Sequence, residues 1–219
     1  MKNILIALSL VAGVSAQASL LSFSTSSKNI EGVTLSPNAQ GTVQSSKGAN
    51  TDIKLSLLGA GLRAKKVLIV NAKVYVAQLF SNNEAGFVRT DSGALSSLAN
   101  NSSQVALKIS MLRTVSAGEL ATSFEEALQA NKIPMDNEMK QLLHFVETSA
   151  DGVNGKSLTM LMVKESADET TIYYEDTAGS VKSFVGSANL IGKVMAIWLG
   201  APVDKGLGAC KASLLQKVF

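Results

Sequence analysis

Arg63, Lys73 and Tyr75 stand inside or beside the most apolar block of the chain. Unpaired charge is costly there, so each needs a partner, a ligand or a path to water. A guanidinium offers two parallel donors and a phenol a third, a set suited to receiving a carboxylate or an enolate oxygen. The same residues admit a structural reading, with Arg63 exposed at a strand end and Tyr75 a core aromatic whose hydroxyl is satisfied within the fold. Other chemistry finds little support. The chain has one His and one Cys, too few for a zinc site with ordinary ligand spacing, and no metal is expected. His144 lies about 180° around a helical wheel from Met135, near the centre of an apolar stripe, and should face solvent. Cys210 falls beside Leu207 and Leu214 and should be a buried, unreactive thiol. Gly59-Ala60-Gly61 lacks the third Gly and the following helix of a phosphate-binding loop, and reads as backbone freedom at a sheet bend.

The elements that must position these residues follow from hydrophobic periodicity. Ile53 to Leu58 and Val67 to Phe80 read as two long strands or one broken strand, buried on both faces. On one straight strand Arg63 and Tyr75 would stand about 40 Å apart, at about 3.3 Å per residue. They share a ligand only if the chain reverses somewhere from Ala64 to Ala72. Their equal parity allows one face if no bulge intervenes, and Asn71-Ala72 is the only polar break. Val105, Leu107, Ile109 and Met111 alternate with Ala106, Lys108 and Ser110, marking a strand with one face on the core.

Ser116-Ala-Gly-Glu119 has capping-box form and opens a helix whose apolar face carries Leu120, Phe124, Ala127 and Leu128, closing at Asn131 and Pro134. Met135, Met139, Leu142, Leu143 and Val146 carry a second helix. Strands are expected over Ser157 to Val163, Thr170 to Tyr174 and Ser180 to Val185, in a largely antiparallel sheet. A helix capped by Asn189 should run through Trp198 to Gly200, and a last one from Asp204 to about Lys217. The Ser-, Thr-, Asn- and Gly-rich stretch from Ser22 to Asn50 reads as one short strand and loops.

At 219 residues, 46% hydrophobic and 17% charged, the composition is that of one globular domain rather than a disordered chain. Lys2, the apolar run Ile4 to Val14 and Ala16-Gln17-Ala18 form an export signal with cleavage before Ser19, too short in its apolar part to span a bilayer. The remaining 19 to 219 form the domain, and a periplasmic or secreted location follows. With Lys2 removed, the 20 basic residues fall by one against 17 acidic, a small excess. No clustered basic field with interleaved aromatics suggests nucleic acid.

Leu58-Gly-Ala-Gly-Leu-Arg63, Lys73-Val-Tyr-Val-Ala77, Leu112-Arg-Thr-Val-Ser116, Gly186 and Ile197-Trp-Leu-Gly-Ala-Pro202 form an ordered series. Together they resemble the chalcone isomerase-like superfamily, and its exported bacterial branch, over about Val33 to Leu215. The resemblance implies an α+β open-faced β-sandwich: a long antiparallel sheet, helices on one side, and a small-molecule cleft between. It also implies site positions. The family Arg falls on Arg63, and the strand Thr of the plant enzymes falls on Tyr75, as in the fatty-acid-binding members. The helix Tyr and Asn of the enzymes fall near Leu120 and Ala127, which have no hydrogen-bonding side chain, so chalcone cyclisation is not expected.

The leading expectation is a non-catalytic binder of a fatty acid or similar amphipathic carboxylate, held by Arg63 and Tyr75 at the mouth of an apolar cleft, without a cofactor. Leu120, Phe124, Ala127 and Met139 should line or adjoin that cleft, with Met111, Met160 and Met162 as further candidates for its wall. Two alternatives stand beside it: an isomerase or intramolecular lyase acting on an unsaturated carbonyl compound, and an envelope interaction module whose cleft is packed shut.

Overall fold

The computed structural model describes residues 19–67 and 70–219; the expected export signal lies outside the described residues. Among the described residues, ten strands and five helices follow in chain order, and eight of the strands build one antiparallel sheet. Its spatial order is β1 (Ser22–Phe23), β4 (Asn38–Gln44), β5 (Asn50–Val67), β6 (Val70–Ser81), β7 (Gln104–Met111), β8 (Ser157–Lys164), β9 (Glu169–Glu175) and β10 (Val181–Ser187). The remaining two, β2 (Asn29–Ile30) and β3 (Val33–Thr34), form a separate small hairpin.

The long pair β5 and β6 is the spine of the sheet, and its side chains alternate between faces as the pleat requires. Tyr75, Ala77 and Leu79 join the helix-side core, while Phe80 packs behind the sheet with Leu21, Val43 and Leu55. In β7, Val105, Leu107, Ile109 and Met111 face the helices as expected. The opposite face is covered too: Ala106 is buried, and the Lys108 ammonium sits 4.2 Å from the Phe23 ring centroid.

That cover comes from the segment read as one short strand and loops, which in fact holds four strands and the start of β5. The apolar signal is thin because β4 buries only Ala39 and Val43 and turns Asn38, Gln40, Thr42 and Gln44 to solvent. Helix α1 (Ala94–Asn101) likewise has no clear signal in the sequence. It is short, it follows Gly93 without a side-chain cap, and its buried anchors are only Ala94, Ser97 and Leu98.

Helix α2 (Ala117–Ala130) begins at the expected capping box, with the Ser116 hydroxyl accepting from the Glu119 amide and the Glu119 carboxylate accepting in return from the Ser116 amide. Asp151 accepts a further bond from the Ala117 amide, pinning this helix end beside the sheet. Helix α3 (Asn137–Glu147) starts after Asp136, which caps it, so Met135 precedes the helix instead of lying on its stripe. His144 is exposed, as its wheel position requires. Helix α4 (Leu190–Leu199) follows Asn189, whose side chain makes no capping bond, and ends at Gly200. Helix α5 (Lys205–Leu214) is capped by Asp204 and stops three residues before the expected end.

Helix α5 lies directly on β5, and glycine explains how. A Cβ at Gly61 would come within 2.5 Å of the Cys210 carbonyl oxygen, and one at Gly59 would overlap the Leu214 carbonyl. On the helix side, a Cβ at Gly206 would overlap the Ala64 carbonyl oxygen. The three approaches are spaced four residues apart on the helix and three and two apart on the strand, and four helical residues rise roughly 6 Å, about as far as two extended ones. A register irregularity does fall between Leu57 and Gly59, but the glycines are required by the apposed helix backbone more than by a bend.

Candidate functional site

The β5–β6 hairpin brings Arg63 and Tyr75 face to face. Val67 pairs with Val70 and Ala64 with Lys73, a register that would set Arg63 opposite Val74. One extra residue on β6 at that point shifts the pairing, so Arg63 stands opposite Tyr75. Directly paired residues of an antiparallel ladder point to the same face. The bulge therefore creates the pairing that the parity argument assigned to a bulge-free hairpin. Asn71 and Ala72 lie within β6, paired with Lys66 and Lys65, and do not form the turn. Lys73 takes no part: it is exposed and reaches Glu31 between β2 and β3, 2.6 Å away.

Arg63 is neither free nor at an exposed strand end. Its side chain is 11% exposed, and its Nη1 and Nη2 donate to Asp204 Oδ1 and Oδ2 at 2.8 and 2.6 Å, a two-point fork. Nη1 also donates to the Ala64 carbonyl at 2.6 Å. Asp204 uses Oδ1 a second time, accepting from the Leu207 amide to cap α5. Burial works against its ionisation, but the Arg63 bonds and the Leu207 amide outweigh that and hold the carboxyl below the ordinary carboxylate range.

Tyr75 is 6% exposed and its hydroxyl oxygen accepts from Trp198 Nε1 at 3.0 Å. An indole N–H only donates, so the phenol keeps its own proton for another acceptor. Burial raises its pKa well above the usual phenol value, with Cys210 adding to the rise, so the group remains a neutral donor. Burial likewise pushes the Cys210 thiol up to about 12, in keeping with an inert packing role.

Above this pair lies a cavity of about 830 Å³, bounded by the ends of β5 and β6, the loop entering α2, one face of α2, and the approach to α5. Arg63, Tyr75, Leu120, Phe124 and Ala127 all line it, as do Val74, Val115, Ile197 and Leu207. Its apolar floor comes from the i, i+4, i+7 face of α2 set against the strand pair. Met139, Met111, Met160 and Met162 are buried in the helix-side core and are not in its wall, so they fill volume without shaping the cleft. Four participants were not anticipated. In the sequence Asp204 marks only a helix start, and Trp198 only a position in an apolar helix. Lys65 and Arg113, both exposed, set cations at the cavity mouth, with Glu119 and Glu126 nearby. A helix-cap pattern before residue 205 is visible in sequence, but a partner 141 positions away is not.

The open antiparallel sheet with helices on one face and a cavity between them is an α+β open-faced β-sandwich. A model of the chalcone isomerase-like family matches residues 28–215, and the chain belongs to that family. No curated protein matches the sequence at a significant level. Among solved structures, the fold is similar to that of a fatty-acid binding protein of Arabidopsis thaliana. The TM-score is 0.53 at 15% identity, covering 80% of this chain and 96% of that one.

Proposed function

We propose that the protein is a non-catalytic binder of a fatty acid or similar amphipathic carboxylate, acting in the periplasm or outside the cell. The observation that carries the reading is the cavity of about 830 Å³, apolar along its floor, with a guanidinium and a buried phenol together at one side. The volume is in the range of ordinary ligand sites. An apolar floor accepts the chain of an amphipath, while Arg63 and Tyr75 offer donors to its oxygen atoms. The structural neighbour, a fatty-acid binding protein, supports the same class of ligand.

Binding draws more support than isomerisation. Asp204 already meets the Arg63 charge, which weakens it as an electrophile, and burial makes the Tyr75 proton harder to transfer. Leu120 and Ala127 offer no hydrogen bond where an enzyme would hold substrate oxygens. The open cavity also departs from a cleft packed shut for protein interaction alone.

Mass spectrometry of purified, denatured protein is expected to release a lipid-like amphipath. Ala127→Phe fills the cavity from α2 and is expected to weaken decanoate binding at least about tenfold, 1.4 kcal/mol, measured by calorimetry. A ligand-free protein that also fails to bind decanoate would overturn the reading. For export, N-terminal sequencing of protein recovered from the periplasm is expected to begin at Ser19; an intact Met1 terminus on a membrane-held chain would exclude the carrier role.

A further inference from the structure

Arg63 is the most buried of the cations lining the cavity, and the chain has placed one of its own carboxylates on it. Asp204 takes the two terminal nitrogens of the guanidinium, and the Ala64 carbonyl takes another hydrogen of Nη1. What remains for a ligand is Nε and one hydrogen of Nη2. A ligand carboxylate that docks on Arg63 either displaces Asp204 or shares the guanidinium with it, which sets two negative charges against that one positive in a partly buried place. An uncharged amphipath meets neither obstacle, because its oxygen can accept from the Tyr75 hydroxyl, whose proton Trp198 leaves free.

We propose that Asp204 is a built-in competitor for the head group of the ligand on Arg63, and so the residue that sets how strongly the cavity prefers carboxylates over uncharged amphipaths. The proposal rests on the binding function proposed above. It accounts for two features together. The carboxylate stays ionised despite partial burial, so it competes as an anion. Its side chain is also 36% exposed, so it has water on one side to turn into when displaced. The competition is linked to the helix, since the same carboxylate caps α5 through Leu207. Carboxylate binding thus exchanges one anion for another at Arg63 instead of filling a vacant receptor, an arrangement that favours release.

Asp204→Asn isolates the charge. Asn is as good an N-cap as Asp, so α5 keeps its start, but a neutral amide cannot hold the guanidinium as a carboxylate fork does. Decanoate and 1-decanol are titrated into wild type and D204N by calorimetry, with thermal melting as a control for folding. D204N is expected to bind decanoate about tenfold more tightly or better, with 1-decanol changed by less than about twofold. Unchanged or weaker decanoate binding, or an equal gain for both probes, would overturn the competitor role while leaving a decanoate-binding wild type as a binder. If neither protein binds either probe, the binding function fails and the competitor role with it. Should D204N melt before the titration temperature, Asp204→Ser, which also retains a capping oxygen, carries the same comparison.

Discussion

Gly206→Ala is expected to destabilise the fold by about 3 kcal/mol, the upper end of the range for overpacking. Gly208→Ala, two residues along the same helix, is expected to be neutral or to stabilise by up to about 1 kcal/mol. The difference is set by what each new methyl group meets. At 206 it would overlap the Ala64 carbonyl oxygen and come within 2.6 Å of Arg63 Nη1, so α5 must lift from β5 or the strand must yield. At 208 the nearest atom is Pro202 Cγ at 3.5 Å, ordinary van der Waals contact, and the gain in helix propensity is realised. Chemical denaturation of the two variants checks both signs. Equal effects would mean that α5 is not seated on β5 through Gly206.

The same contact explains which parts of this protein were legible in its sequence. Elements with strong periodic burial were: the aliphatic density of β5 and β6, the alternation of β7, and the capping box of α2 are local patterns. Elements stabilised by a few contacts from afar were not. Strand β4 buries two side chains and α1 three, too few to stand out from polar neighbours. At the cavity, Leu120, Phe124 and Ala127 share the lining because a helix of fixed pitch presents them together, and that spacing is visible in the sequence. The facing of Arg63 and Tyr75 required a reversal and a bulge at Val74, and neither has a turn residue to announce it. Asp204 was visible as a cap yet not as a counter-ion, because a cap is a three-residue pattern and an ion pair depends on the tertiary path of the chain. A glycine pattern that suggested a bend marks instead the seat of α5, the helix that delivers Asp204 to Arg63.

Arg63→Ala is expected to weaken decanoate binding in both the wild-type and the Asp204→Asn background, and by different amounts. With Asp204 present, part of what Arg63 offers a ligand is already spent on the internal carboxylate, so the loss is expected near the lower end of the range for hydrogen bonds to a charged group, about 1.5 kcal/mol. In the D204N background the guanidinium is available in full, and the same substitution is expected to cost about 3 kcal/mol. The difference between the two backgrounds is the coupling energy of a double-mutant cycle, which cancels effects that each change has alone. Arg63→Ala also removes a two-point ion pair that ties α5 to β5, and a loss of about 1 to 2 kcal/mol in folding stability is expected beside the binding effect. The stability loss is limited because Asp204 is partly exposed and can be rehydrated once its partner is gone. Binding of 1-decanol, which places no charge on the guanidinium, is expected to change little in either background. Equal losses of decanoate affinity in the two backgrounds would mean that Arg63 and Asp204 act independently. An unchanged affinity in both would move the carboxylate to Lys65 and Arg113 at the cavity mouth, reversing the orientation of the ligand.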